Sequence, residues 1–197
     1  MAARTVLATR NPHKVRELAE IFGDRRLEPL ADDVQLPPET GETFAANALI
    51  KARAAHAATG LPTLADDSGI AAAALGGRPG VRSARYAGPQ ATDEENLALL
   101  MREVAEADGD RSVAYVCVLA YVDSDQELTA EGRCEGRLTD RQRGDGGFGY
   151  DPAFVPGDTG PDDHRTMAEL SAAEKHAISH RGRAARTLAA LLGGDAG

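Results

Sequence analysis

The segment at residues 61–69 constrains the fold of this chain more than any other. Its apolar start, Leu-Pro-Thr-Leu-Ala, predicts a buried β-strand that stops at Asp66, Asp67, Ser68 and Gly69. In open α/β proteins the carboxyl ends of buried strands face the ligand crevice, so acids there are suited to hold a metal or act on a substrate. The alternative is a polar turn, because Asp, Ser and Gly are ordinary turn residues. The segment alone leaves both interpretations open.

A second polar segment lies near the start of the chain. Residues 5–8 predict a buried strand, and apolar residues recur at helical spacing soon after it. Asn11 suits the N-cap of that helix and Pro12 its first position. Free backbone amides and the helix dipole then make this turn a site for an anion. The side chains of Thr9, Asn11 and Lys14 add a hydroxyl, an amide and an ammonium to it. The alternative is a capped helix with a solvated lysine.

Composition favours an ordinary globular protein. With 197 residues, 42% of them hydrophobic and 27% charged, the chain can bury a full core as one domain or one domain with two lobes. The net charge is −9 and no basic block is present, which argues against a nucleic acid polymer as partner. Neither an apolar leader nor a run of roughly 18 apolar residues is present, so we expect a cytoplasmic protein without a membrane partner. Cys117 and Cys134 lack zinc or redox spacing.

The rest of the chain alternates helix and strand patterns. Four elements are predicted: helices at residues 44–59 and 92–107, and strands at residues 112–122 and 127–138 that form a hairpin. Ser171 and Glu174 predict a capping box, and a last helix is expected to start at Ser179. The Pro/Gly/Asp loop at residues 156–163 is too short for a linker, so residues 1–197 are expected to form a single domain.

Two more polar segments interrupt this pattern. Residues 144–152 are rich in glycine and include Phe148, whose flat ring offers a stacking surface; the alternative there is a plain turn or bulge. Near the last helix, Lys175, His180 and Arg181 are candidate anion or base contacts, and the alternative is a set of solvated helix residues.

Four groups of residues occur in a fixed order along the chain. They are Thr9-x-Asn11-x-x-Lys14-x-x-Glu17; Glu39-Thr40-Gly41-x-Thr43-Phe44 with Asn47-Ala48 and Lys51-Ala52; Leu64-Ala65-Asp66-Asp67-Ser68-Gly69 through Leu75-Gly76-Gly77-x-Pro79-Gly80 to Ser83-Ala84-Arg85-Tyr86; and Gly146-Gly147-Phe148-Gly149-Tyr150-Asp151-Pro152 with Ser179-His180-Arg181-Gly182. Nearly the whole chain thereby resembles the inosine triphosphate pyrophosphatase family, also called dITP/XTP pyrophosphatases. The chain departs from the family pattern in two places. Ala46 stands where many relatives have a Glu before the Asn, and Arg10 and His13 stand where many relatives have small residues.

The resemblance implies a fold and an activity. The fold would be α/β, with an elongated mixed β-sheet flanked by helices and two lobes around a central active-site cleft. The protein would act as a homodimer that hydrolyses nonstandard purine nucleoside triphosphates (ITP, dITP, XTP) to monophosphate and pyrophosphate, with Mg²⁺ as cofactor and attack of water at the α-phosphorus. The biological role would be nucleotide-pool sanitation.

The resemblance also implies roles for residues. Glu39 and Asp67 would bind Mg²⁺, and the catalytic residues would be Asp67, as general base, and Lys14. Phe148 would stack on the purine, and donors from Arg181 or nearby backbone would favour its 6-keto edge. The substrate-binding residues would be Thr9, Arg10, Asn11, Pro12, His13, Lys14, Ser68, Phe148, Gly149, Tyr150, Asp151, Lys175, His180 and Arg181.

Two other functions are alternatives to this one. A nucleotide-binding sensor would keep the cleft without turnover, but it has no need of Glu39, Asp67 and Lys14, which are all present. A pyrophosphatase for modified pyrimidine or methylated nucleotides, as in the Maf-like proteins, is the second alternative. The Maf-like motifs match this chain poorly.

Overall fold

The computed structural model describes residues 4–22, 27–107 and 109–193, without the side chains of Pro12 and His13. Within this part of the chain the helices and strands are, in order, β1 (Thr5–Leu7), α1 (Pro12–Phe22), β2 (Leu27–Pro29), α2 (Phe44–Thr59), β3 (Thr63–Ala72), α3 (Asp93–Glu106), β4 (Ser112–Val122), β5 (Glu127–Leu138), β6 (Phe154–Pro156), α4 (Ala172–Ile178) and α5 (His180–Gly193). In the same residues, no helix is both long and apolar enough to cross a membrane.

The described strands form one sheet of six, in the order β2-β1-β3-β4-β5-β6. β1 pairs in parallel with β2 and β3, whereas β5 and β6 pair antiparallel. β4 and β5 are neighbours joined by a four-residue connection, which only an antiparallel hairpin allows. The predicted mixed α/β sheet and its hairpin are therefore confirmed.

The chain divides into two compact units. Unit 1 comprises Met1–Asp67, Cys117–Gly132 and His180–Gly197, and unit 2 comprises Ser68–Val116 and Arg133–Ser179. The single two-lobed domain with a central cleft stays a prediction.

The core of unit 1 lies on both faces of its strands, because side chains alternate along a strand. One face packs against α1 and α5 through Leu7, Leu18, Leu64, Leu119 and Leu188. The other face packs against α2 through Val6, Ala48, Ala52, Ala65 and Val118. The continuous apolar run of β4 is thus explained by burial on two sides, as predicted for a central strand.

Unit 2 has a core of its own, in which α3 is anchored by Leu97, Leu100 and Val104. The predicted capping box begins this helix: the Thr92 side chain accepts from the Glu95 backbone, and the Glu95 carboxylate accepts from the Thr92 backbone. Ser171 and Glu174 form the second predicted box at α4. The last helix, α5, starts at His180, one residue after the predicted start.

β3 is longer than predicted, and this corrects the expectation that the strand stops at the two acids. The strand continues through Asp66, Asp67 and Ser68 to Ala72, and Ile70 beyond them is fully buried. The acids are therefore neither in a turn nor at a strand end. Since successive side chains of a strand point to opposite faces, Asp66 lies on the face of α1 and α5 and Asp67 on the face of α2.

Candidate active site

Asp66 forms ion pairs with two cations from the helices on its face. Lys14 of α1 brings its Nζ within 2.8 Å of Asp66 Oδ2, and Arg181 of α5 brings its Nε within 3.5 Å. The Arg181 guanidinium also donates a hydrogen bond to Glu17 of α1. Asp66 is fully buried and Arg181 is 2% exposed, so these charges balance one another away from water.

The partners of Asp66 keep it ionised. Burial alone would raise the pKa of Asp66, but the charges of Lys14 and Arg181 outweigh burial and lower the pKa on balance. Burial lowers the pKa of Arg181, while Asp66 and Glu17 raise it on balance. Burial, reinforced by the charge of Asp66, raises the pKa of the Cys117 thiol to about 12. This cysteine therefore stays protonated and unreactive.

Asp67 is contacted from α2 on the opposite face. Asn47 Nδ2 donates a hydrogen bond to Asp67 Oδ2 at 3.0 Å. One turn along the helix, the Nζ of Lys51 lies 2.5 Å from Glu39 Oε1. Asn47 and Lys51 are four residues apart, so they share one helix face, and both are buried. This face of α2 thus supplies an amide to Asp67 and an ammonium to Glu39.

Asn47 also joins Asp67 to the turn that carries Glu39. Its Oδ1 accepts a hydrogen bond from the backbone nitrogen of Gly41 at 2.7 Å. A Cβ at position 41 would lie 2.7 Å from that oxygen, so the close approach requires glycine. One buried amide therefore contacts both the acid on β3 and the Glu39 turn.

The neighbouring acids Asp66 and Asp67 have opposite pKa shifts. Burial raises the pKa of Asp67, and although Lys51 and Asn47 oppose this, Glu39 adds to it, so the pKa is raised on balance. Burial lowers the pKa of Lys51, but Asp66 and Glu39 outweigh it, so Lys51 remains a cation. Asp66 is thus a fixed anion, whereas Asp67 takes up a proton more readily.

The turn before α1 has the predicted cap. Asn11 Oδ1 accepts a hydrogen bond from the Lys14 backbone at 3.4 Å, and Thr9 Oγ1 accepts one from the Asn11 backbone at 3.3 Å. The helix begins at Pro12, as expected. Of the predicted phosphate contacts, the side chains of Pro12 and His13 lie outside the described residues.

The structure also places Arg10 and Ala46, which depart from the family pattern, and His180. The Arg10 guanidinium donates to the backbone oxygens of Asp32 and Val34 at 3.1 and 2.9 Å, which ties the turn before α1 to the segment after β2. Ala46 lies in the first turn of α2. His180, a predicted contact, is the first residue of α5 and is half-buried.

Phe148, Asp151 and Lys175 come together in unit 2. The Nζ of Lys175 lies 2.7 Å from Asp151 Oδ2 and 4.9 Å from the centroid of the Phe148 ring. The backbone nitrogen of Phe148 donates to the same oxygen at 3.0 Å, and Tyr115 donates to Asp151 Oδ1. Asp151 is 3% exposed and Phe148 is half-buried, so the ring is more accessible to a ligand than the carboxylate.

Three other predicted contacts lie in unit 2. The backbone nitrogen of Gly149 donates to Asp93 Oδ2 at 2.9 Å, and the Tyr150 hydroxyl donates to the Ser83 backbone oxygen at 2.7 Å. Tyr150 is buried, so its side chain supports the loop from inside. Ser68 is half-buried within β3.

Comparison with protein families places this geometry in a known group. A model of the Ham1 family matches residues 5–191. The chain belongs to the Ham1 family. A Ham1 relative from Cutibacterium acnes, named dITP/XTP pyrophosphatase, is 48% identical over 194 residues, which is 94% of each chain. A protein of the same name from Pectobacterium atrosepticum is 47% identical over 192 residues, which is 94% of this chain and 95% of the relative.

Solved structures agree with this assignment. A HAM1 protein from Coxiella burnetii matches with a TM-score of 0.88 and 43% identity over 98% of both chains. A nucleoside-triphosphatase / dITP/XTP pyrophosphatase from Mycobacterium abscessus matches with a TM-score of 0.76 and 42% identity, over 96% of this chain and 99% of its own. The resemblance inferred from the motifs and the α/β fold are both confirmed.

Sequence patterns assigned no role to four residues that contact the predicted site residues: Glu17, Asn47, Lys51 and Tyr115. Asn47 and Lys51 carry a usable signal, because two polar residues four apart interrupt an otherwise alanine-rich helix face. Tyr115 carries no such signal, because it lies in the apolar run of β4, where a tyrosine is typical of a core residue.

Proposed function

We propose that this Ham1 protein hydrolyses ITP, dITP and XTP to the nucleoside monophosphate and pyrophosphate. Relatives 48% and 47% identical carry the name dITP/XTP pyrophosphatase. The observation that carries the proposal is the cluster in unit 1 of Lys14 and Lys51 with Glu39, Asp66 and Asp67. Phosphoryl transfer asks a protein mainly for positioning and charge neutralisation, which such a cluster supplies.

Two sets of residues are proposed to bind substrate. In unit 1 the start of α1 binds phosphate through backbone amides and the side chains of Thr9, Asn11 and Lys14. In unit 2 Phe148 stacks on the purine beside Lys175. The remaining proposed substrate contacts are Arg10, Pro12, His13, Ser68, Gly149, Tyr150, Asp151, His180 and Arg181.

Glu39 and Asp67 fit a magnesium ion. Both offer hard carboxylate oxygens, and the Asn47 side chain contacts both Asp67 and the backbone of Gly41, two residues after Glu39. Among the described residues, no group of three or more His, Cys, Asp or Glu is arranged to hold a metal. Mg²⁺ needs no such cage, since it is usually held by one or two carboxylates with water and phosphate oxygens.

The proposed reaction assigns distinct tasks to the charged residues. When bound, Mg²⁺ neutralises charge on the phosphates and the leaving pyrophosphate. Asp67 orients a water molecule toward the α-phosphorus and, as general base, takes its proton. Lys14 supplies positive charge to the phosphates, and its ion pair with Asp66 holds the ammonium at the start of α1.

Selectivity is proposed to depend on the 6-position of the purine. Hypoxanthine and xanthine present a keto acceptor where adenine presents an amino donor, so donors from Arg181 or nearby backbone favour the keto purines. Arg181 is 2% exposed and already pairs with Glu17 and Asp66, so a base contact would require its guanidinium to become accessible and to use another of its five N–H groups. Guanine would be rejected through its 2-amino group.

Two wider parts of the proposal concern assembly and location. We propose a homodimer in the cytoplasm, supported by the resemblance to the inosine triphosphate pyrophosphatase family. Light scattering at micromolar concentration measures the mass of the assembly directly, and a mass equal to one chain would contradict the homodimer.

Pyrophosphate release from a panel of nucleotides tests the proposed function. The panel contains ITP, dITP, XTP, GTP, ATP and modified pyrimidine triphosphates, each with and without Mg²⁺, with Asp67→Asn as the inactive control. Release from ITP, dITP and XTP only in the presence of metal is expected. Binding of ITP without turnover would favour a sensor, and preferential release from pyrimidines would favour a Maf-like activity.

A further inference from the structure

Asp151 joins three elements of unit 2 through one buried carboxylate. Its Oδ1 accepts a hydrogen bond from the Tyr115 hydroxyl of β4 at 3.0 Å. Its Oδ2 lies 2.7 Å from the Nζ of Lys175 on α4 and accepts the backbone N–H of Phe148 at 3.0 Å. A change in the orientation of this carboxylate would therefore move both Lys175 and the backbone that carries the Phe148 ring.

The backbone closes tightly around the same carboxylate. Gly147 has a φ of +76°, and a Cβ there would lie 2.1 Å from Asp151 Oδ2. Only glycine combines that dihedral with so close an approach. The loop at residues 147–151, which we call the Phe148 loop, is consequently built on the Asp151 carboxylate, and its conformation depends on how that group is held.

Tyr115 holds the carboxylate from the side of the sheet. Its ring stacks on Phe154, with centroids 4.4 Å apart and an interplanar angle of 27°, which fixes the direction of the hydroxyl. Burial and then the charge of Asp151 raise the pKa of Tyr115 well above its usual value. The hydroxyl keeps its proton, so it acts as a constant donor to Asp151.

We propose that Tyr115 is a positioning residue for the purine: its hydroxyl holds Asp151 in the orientation that sets the Phe148 ring and Lys175 for stacking. This inference rests on the proposed function, because it needs Phe148 to contact the base. The ammonium of Lys175 lies 4.9 Å from the ring centroid, so Asp151 orients both the ring and the cation that contacts it. A tyrosine in the apolar run of β4 thereby contributes to base binding without contacting the base.

Tyr115→Phe tests the proposal, since it removes only the hydroxyl and keeps the ring that stacks on Phe154. Tyr121→Phe is the matched control, because Tyr121 lies on the same strand but in unit 1. Calorimetry measures the affinity of each protein for IMP, which carries a base, and for inorganic tripolyphosphate, which does not. We expect Tyr115→Phe to bind IMP measurably more weakly, by up to about fivefold, the loss expected when the Phe148 ring is removed altogether, and to bind tripolyphosphate unchanged, with a raised KM for ITP and an almost unchanged kcat. Tyr121→Phe should match the wild type throughout.

A second readout needs no ligand. The chain has no tryptophan, so Phe148→Trp introduces a single fluorescent reporter into the Phe148 loop. Adding Tyr115→Phe to that variant should increase quenching of the tryptophan by acrylamide, whereas adding Tyr121→Phe should not. Unchanged quenching in the Tyr115 variant would show that the hydroxyl does not hold the loop.

The outcomes separate this inference from the proposed function. Unchanged IMP affinity in Tyr115→Phe, or an equal loss for IMP and tripolyphosphate, would overturn the positioning role while leaving the function intact. A wild-type protein that binds tripolyphosphate but not IMP would overturn the base site of the proposed function, and the role of Tyr115 with it.

Discussion

Unit 1 contains a cluster of charges from β3 and from the helices α1, α2 and α5, whereas unit 2 contains a loop closed around a single carboxylate. The charges of unit 1 compensate one another in burial, so the loss of one leaves its partners exposed to the full cost of desolvation. The Phe148 loop depends on a few local hydrogen bonds. Substitutions should therefore affect stability and chemistry in unit 1, and base affinity in unit 2.

The same contrast exists on a smaller scale between two adjacent acids in β3. Asp66 faces Lys14 and Arg181, which lower its pKa, whereas Asp67 faces an amide and lies near Glu39, and its pKa is raised. Consecutive residues of one strand can hold opposite roles because they face different helices. Asp66 is suited to anchoring charge, and Asp67 to moving a proton.

The largest effect is expected on stability, from Asp66→Asn. The change removes the buried charge that pairs with Lys14 and leaves Arg181 paired with Glu17 but not with residue 66, which costs about 3 kcal/mol of unfolding free energy. Because the pKa of Asp66 is lowered by folding, the ionised group contributes stability above its unfolded pKa of about 3.9 and loses that contribution as the pH falls. Urea unfolding at neutral pH measures the loss, which should shrink in acid.

Asp33→Asn is the control for this measurement, because Asp33 is exposed and lies in the same unit. It should change the free energy of unfolding by less than about 0.5 kcal/mol. If the two variants are equally stable, the buried network does not hold unit 1 together.

The next effect is on the reaction. Asp67→Asn keeps the shape of the side chain and its contact with Asn47 but removes the charge and the base. We expect kcat for ITP to fall at least about a hundredfold, the lower end of the loss of a general base, while unfolding remains cooperative. Time courses of pyrophosphate release measure the rate, and near-normal turnover would show that Asp67 is neither the base nor an essential metal ligand.

Sequence patterns predicted the elements whose signals are local. The helix Phe44–Thr59 and the capping box at Thr92 are such cases, since caps and helical spacing are decided within a few residues. β3 was predicted to stop too early, because two acids and a serine interrupt its apolar pattern. Their partners, an ion pair from Lys14 to Asp66 and a hydrogen bond from Asn47 to Asp67, come from distant parts of the chain.

The candidate site likewise contains residues that local patterns predicted and contacts that they did not. Family motifs named Phe148 and Asp151, but the inward orientation of Asp151 depends on Tyr115, 36 residues away along the chain. Short strands were also missed: β2 and β6 have three residues each, too few to show alternation. Contacts that join distant segments thus account for most of what local patterns did not predict.

A smaller effect should follow from Asn47→Ala, which sharpens the contrast between the two acids. The Asn47 hydrogen bond favours ionised Asp67, so its removal raises the pKa of Asp67 further, and the acid limb of kcat/KM should move to higher pH. Affinity for Mg²⁺, titrated by calorimetry, should weaken about tenfold, as for other residues that orient a metal ligand.

Asn96→Ala provides the matched control for that prediction. Asn96 is also a buried helical asparagine, and its Oδ1 accepts a hydrogen bond from the Ala87 backbone at 2.8 Å in unit 2. Its replacement should lower stability without moving the acid limb. A shift of the limb in both variants would mean that general destabilisation, not the contact with Asp67, is responsible.

The smallest effect is expected from Phe148→Ala, and it tests whether unit 2 binds the base and unit 1 the phosphates. Stacking is indifferent to base identity, and one face of the ring is already covered by Lys175, so ITP, XTP and ATP should each bind about 1 kcal/mol, or about fivefold, more weakly. Tripolyphosphate affinity should stay at the wild-type value. Lys14→Ala should instead weaken tripolyphosphate and all nucleotides alike, because its charge lies at the start of α1 beside Asp66. Calorimetry on both variants with both ligands gives four affinities, and a Phe148→Ala protein that lost tripolyphosphate binding would mean that the loop in unit 2 contacts phosphate as well as base.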